Sequence, residues 1–132
     1  MTRKRWDLAG LVATAGLLAG CANSFHDSYV VGDRWFQTRL DTYPTLILGI
    51  DGSDTLQRRV LVSPGEHVIR VQGPGVASMQ GEDREIKLLI EPCYTYYIVA
   101  VKANALAMDF TPKLDYRDPL AGCTPPPGWD KK

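Results

Sequence analysis

The chain has little of most things that carry chemistry. Three cysteines and two histidines are spread through 132 residues. No Cys-x-x-Cys occurs, and neither His26 nor His67 stands at a ligand spacing from Cys93 or Cys123, so no metal site is expected. No Gly-x-Ser-x-Gly is present either, which removes the usual basis for a serine hydrolase. Charge of one sign is missing: 15 basic and 15 acidic side chains balance. A mixed-sign chain does not build the basic field that a phosphate backbone requires, so no nucleic acid partner is expected. Helical periodicity of useful length is absent after Gly20, and no apolar run reaches the ~20 residues that a membrane-spanning helix needs.

What is present starts at the N-terminus. Arg3, Lys4 and Arg5 precede a short apolar run from Leu8 to Gly20. A positive patch followed by a run too short to span a bilayer is the layout of a cleavable export signal. The run ends in Leu17-Leu18-Ala19-Gly20-Cys21, which resembles the lipobox of bacterial lipoproteins: an apolar residue, two small residues, then cysteine. The resemblance implies cleavage after Gly20, a thioether-linked diacylglycerol on Cys21 and an acylated amine. At ~0.8 kcal/mol per buried methylene, and with more than one acyl chain, such an anchor is close to permanent. In lipoproteins of this type an Asp after the cysteine marks retention in the inner membrane. This chain has Ala22, which implies the periplasmic face of the outer membrane.

Residues 21–132 keep 12 basic and 14 acidic side chains and fit one domain. With Cys21 taken by lipid, Cys93 and Cys123 remain as an even pair in an oxidising compartment. A disulfide between them is expected. Closing a loop of that length removes about 3.7 kcal/mol of unfolded-chain entropy on the simple model. A domain this small gains from such a staple.

The body reads as strands and turns. From Ala22 to Asp33 the chain is polar and pattern-poor, a tether in which Tyr29-Val30-Val31 offers at most an edge strand. Thr45 to Ile50 is a buried strand stopped by Asp51-Gly52. Two further β-rich runs, Arg58 to Val62 and His67 to Gln72, flank Ser63-Pro64-Gly65-Glu66 and read as a hairpin. The stretch from Ile50-Asp51-Gly52 to Pro64-Gly65-Glu66-His67 resembles a PEGA-type module, a small β-sandwich repeat with a "strand, Asp-Gly, strand, Pro-Gly-x-His, strand" cadence. The resemblance covers residues 45–72 and implies a packing role for His67 rather than a ligand role.

The second half is better patterned. Ile86, Leu88 and Ile90 alternate with Lys87, Leu89 and Glu91, a strand with one face buried. Cys93 to Val101 is a long β-branched and aromatic run suited to a central strand. Its Cys93/Val99/Val101 side is expected inward, which leaves Tyr94 and Tyr96 on the other side. Leu106 to Phe110 reads as the last strand, before Gly122-Cys123. A strand opening at Cys93 and a coil closing at Cys123 resemble small proteobacterial outer-membrane lipoproteins. The expected layout is a signal peptide over 1–20, a lipidated cysteine and tether over 21–33, an all-β domain over 34–123, and a Pro-rich flexible tail over 124–132. The domain is expected to be a small antiparallel β-sandwich of about six to seven strands.

No catalytic set emerges. Asp51-Gly52-Ser53-Asp54 lacks the further ligands of an EF-hand and reads as a turn. Glu82, Asp83 and Glu85 fall in a solvated loop, with no reason to expect the cleft that paired carboxylates need. No cofactor is expected. Trp35, Tyr94 and Tyr96 are the candidates for a binding face, because aromatics with a polar tip are enriched at interfaces; the competing reading places these rings in the core. The functional expectation is a non-catalytic binding or structural accessory of the cell envelope, held to the membrane by its N-terminal lipid. Its partner would be an envelope protein complex or peptidoglycan. A glycan-directed enzyme, or a periplasmic inhibitor of a sugar hydrolase, is the alternative.

Overall fold

The computed structural model describes residues 26–33 and 39–129. Cys21, Trp35 and the signal segment lie outside the described residues. Among the described residues there are nine strands: β1 (Ser28–Val31), β2 (Thr42–Pro44), β3 (Leu46–Ile50), β4 (Ser53–Gln57), β5 (Arg59–Val62), β6 (Gly65–Gln72), β7 (Asp83–Ile90), β8 (Tyr94–Val101) and β9 (Thr111–Pro119). They form two packed sheets, a small all-β sandwich. One sheet holds β1, β2, β5, β8 and β9, and the other runs β4-β3-β6-β7. The core draws Val30, Val62, Tyr96, Ile98 and Ala100 from the first sheet and Ile47, Ile69, Val71 and Ile90 from the second; Phe110 closes it from a loop.

The first sheet is built around β8. One edge of β8 pairs with β9 along its whole length. The other edge is shared: β1 runs parallel to its first half and β2 antiparallel to its second. β5 then covers the outer edge of β1. The sheet is therefore mixed rather than wholly antiparallel.

Several expectations change here. The segment expected as a tether to Asp33 contributes β1, an interior strand with Val30 fully buried. Ser28 is also fully buried. Its hydroxyl donates to the carbonyl of Glu91 (2.5 Å) and accepts from the amide of Tyr94 (3.0 Å), which fastens β1 to the β7–β8 turn. The folded body thus begins at Ser28, not Arg34. Four apolar and small residues in a polar setting carry too short a pattern to announce an interior strand, and long-range pairing supplies the rest.

The β5–β6 hairpin is not formed. β5 pairs with β1 in one sheet, while β6 pairs with β3 and β7 in the other. Ser63-Pro64 turns a corner between sheets, which calls for the same residues as a hairpin turn. Asp51-Gly52, in contrast, closes the β3–β4 hairpin: both residues have positive φ (50° and 81°), as a two-residue turn between twisted strands requires. The last strand is β9, not Leu106 to Phe110. The register of β8 with β9 shifts between Tyr97 and Ile98, so Asp115 is an extra residue in β9. That bulge breaks the period of two and hides the strand in the sequence.

The disulfide joins Cys93 and Cys123, with their Cα atoms 5.4 Å apart. Within 124–129 the tail beyond it makes a turn. The amide of Trp129 donates to the carbonyl of Pro126 (3.2 Å) across Pro127-Gly128, with Gly128 at φ 83°. A Pro-Gly turn of this kind sets the second central φ positive, where glycine carries no Cβ penalty. It folds Trp129 back towards the disulfide. At the far end Gly32 is buried so close to β2–β3 that a Cβ on it would stand 2.0 Å from the carbonyl oxygen of Thr45.

Two outcomes follow for stability. Ser28→Ala strands a buried amide and a carbonyl, and should cost about 1–3 kcal/mol in urea unfolding; a tether residue would cost nothing. Cys93→Ser or Cys123→Ser should cost about 2–4 kcal/mol, and the unsubstituted folded chain should show neither thiol to a thiol reagent.

Candidate functional site

The inward set of β8 is Tyr96, Ile98 and Ala100, with Tyr94 packed against the cluster. This is the opposite phase from the one expected through Cys93. Cys93 has φ 69°, a left-handed conformation that takes it off the pleat of β8. Its direction therefore says nothing about Val99 and Val101. Tyr96, expected with Tyr94 on a binding face, is 2% exposed. Its hydroxyl accepts from the Glu91 amide (2.8 Å), and its ring meets that of Tyr94 edge-on at 6.2 Å between centroids. Tyr94 is half-buried beneath the Arg117 guanidinium, 4.6 Å from its ring centroid. Arg117 also pairs with Glu91.

Further rings line the other side of the sheet, where Val31, Thr95 and Val99 are buried and Tyr29 and Tyr97 are half-buried. Because Val30, Tyr96 and Val62 point inward, the alternate residues Tyr29, Tyr97 and Leu61 point outward. Register joins them: Tyr116 lies opposite Tyr97, Tyr97 beside Val31, Val31 opposite Arg59, and Tyr29 opposite Leu61. Facing residues on neighbouring strands have Cβ atoms about 4.5–5.5 Å apart. From β9 through β8 and β1 to β5 the face is therefore about 14 Å wide at the usual strand spacing. Tyr116 and Leu61 are 43% and 48% exposed. The Arg59 guanidinium stacks on Tyr29, 3.8 Å from the ring centroid. Partial burial, followed by the nearby Asp118, raises the pKa of the Tyr97 phenol above its ordinary value; Arg59 pulls the other way. The phenol therefore stays a neutral donor. Arg39, shortly before β2, pairs with Asp115 of β9 (3.1 Å). Trp35 lies outside the described residues.

The sequence reading missed Tyr29, Arg59, Leu61, Tyr97 and Tyr116. Tyr97 and Tyr116 were legible only as parts of two strands. Their meeting depends on the bulge at Asp115.

A second cluster is architectural. Asp51 accepts from the Val68 amide (2.8 Å) and lies 2.5 Å from His67 Nδ1. His67 Nε2 faces the carbonyl oxygen of Ser63 at 2.7 Å. Both ring nitrogens meet acceptors, so the ring satisfies both only when it carries two protons. The imidazole bridges the β3–β4 turn, the β5–β6 corner and β6. It faces the Ser63 carbonyl through the nitrogen that a general base would use on a hydroxyl. Asp54 pairs with Arg70 instead of joining Asp51. Among the described residues no group of three or more His, Cys, Asp or Glu could hold a metal ion.

The Val68 amide, followed by the His67 hydrogen bond, holds the Asp51 carboxyl below the usual carboxylate range. A carboxylate with a lowered folded pKa contributes stability above its unfolded value and loses it as pH falls through the folded one. In a carboxyl-carbon NMR titration Asp51 should therefore ionise below a free aspartate. Asp51→Asn should flatten the acid side of the stability profile; an Asp51 midpoint at the ordinary position would contradict the clamp.

Compared with known proteins, the chain matches no family model, no curated protein and no solved structure.

Proposed function

We propose that this chain is an outer-membrane lipoprotein, anchored through lipid on Cys21 at the periplasmic face, that binds an envelope protein complex without catalysing a reaction. The observation that carries the binding role is the row formed by Tyr116, Tyr97, Arg59 and Tyr29, with Leu61, across the outside of the first sheet. Tyrosine and arginine are over-represented among the residues that dominate protein interfaces. Their bodies bury apolar area while their polar tips choose a partner. Here the rings are held in place by cross-strand neighbours and by the Arg59 stack, so little side-chain freedom is lost on binding.

The anchor reading is supported by Arg3-Lys4-Arg5, the apolar run to Gly20, and Leu17-Leu18-Ala19-Gly20-Cys21. The Cys93–Cys123 disulfide suits an oxidising compartment. Metabolic labelling with palmitate should mark the chain, and Cys21→Ala should abolish the mark; equal labelling of both would remove the anchor. Crosslinking of the membrane-held form should recover one protein in stoichiometric amount. Tyr116→Ser and Leu61→Ser should each lose that partner while the chain stays folded. Recovery of muropeptides instead would point to peptidoglycan.

A further inference from the structure

The end of the sandwich where β1 and β8 begin, and where β5 and β9 finish, carries a feature the tyrosine face does not explain. A cavity of about 220 Å³ opens there beside the disulfide. Its walls are mostly apolar or aromatic: Pro92, Tyr94, Pro119, Leu120, Pro125 and Trp129. The acid at its wall, Glu91, is neutralised by Arg117. The turn through Pro127-Gly128 delivers Trp129 to it, half-exposed. A tryptophan and a tyrosine beside prolines and a leucine at one end of a domain are what the boundary between headgroups and acyl chains accommodates best.

The entering chain decides which surface meets the bilayer. The carbonyl of Asp27 lies 4.0 Å from Cys123 Sγ, so the N-terminal segment enters against the wall of this same cavity. Six residue steps separate Asp27 from Cys21, and fully extended they reach no more than about 22 Å. β8, with eight residues and so seven steps, rises about 24 Å from this end to the opposite one. A leash shorter than the sheet is tall cannot turn the far end to the membrane.

We infer that this end of the sandwich, with Trp129 and Leu120 foremost, rests on the bilayer interface beside the lipid of Cys21. The inference depends on the lipoprotein reading above. It makes the anchor an orienting device: the sheet stands upright, and the tyrosine face looks sideways along the membrane surface.

The test uses the full lipidated chain in vesicles of phosphatidylethanolamine and phosphatidylglycerol, with and without lipid brominated high on its acyl chains. Flotation of the vesicles first reports attachment. Trp129 emission is read from Trp35→Phe, or, where that variant does not fold, as the difference between the intact chain and Trp129→Phe. Loss of most Trp129 emission to brominated lipid, with shielding from aqueous iodide, is the expected result. A floating chain whose Trp129 ignores brominated lipid overturns the docking and leaves the anchor standing, whether iodide reaches the ring or a second protein copy covers it. A chain that does not float overturns the anchor, and the docking with it.

Discussion

Both edges of β8 have to be filled, and the rest of the molecule is arranged to fill them. A strand of this composition in mid-sheet exposes amide and carbonyl rows on two sides, and leaving either unpaired would be costly and aggregation-prone. β9 covers one side completely. The other is divided between β1 and β2, which run in opposite directions along it. The first four residues of the body are therefore as much a part of the sheet as the last nine. Ser28 locks the arrangement at its lower end, with its hydroxyl serving two backbone groups from the β7–β8 turn.

That requirement also distributes the surfaces. The inner face of β8 is consumed by the core through Tyr96, Ile98 and Ala100, so any aromatic left for a partner must come from the outer face. The lower end holds the entering chain, the disulfide and the folded-back Trp129 within one small region. Elsewhere the polar groups are largely committed to holding loops. Arg84 gathers Glu82 and Asp109, and Phe110 lies beneath its guanidinium, 5.8 Å from the ring centroid. Asp51 and His67 fasten a turn to a corner. Lys102, nearly buried, donates to the Ala105 carbonyl and sits over the ring of Tyr43. Chemistry-bearing side chains are thus used as struts, as Arg59 is on the ring of Tyr29.

The sequence alone determined the class of fold, because β-branched runs separated by Gly, Pro and Asp turns leave few other ways to bury apolar residues. It determined the β3–β4 turn through Asp51-Gly52, where backbone conformation is local. It determined the pairing of Cys93 with Cys123, given that the third cysteine is set aside. What it could not determine was any relation between segments distant along the chain. That Tyr29-Val30-Val31 lies inside a sheet depends on β8, some 66 residues away. That Ser63-Pro64-Gly65 is a corner depends on which strands are already occupied. Cys93, left-handed, is out of phase with β8, and the bulge at Asp115 changes the phase of β9; a single-residue shift in phase exchanges every side chain between core and solvent. Tertiary pairing alone decides these points, since strand periodicity fixes two faces without saying which of them the second sheet will cover.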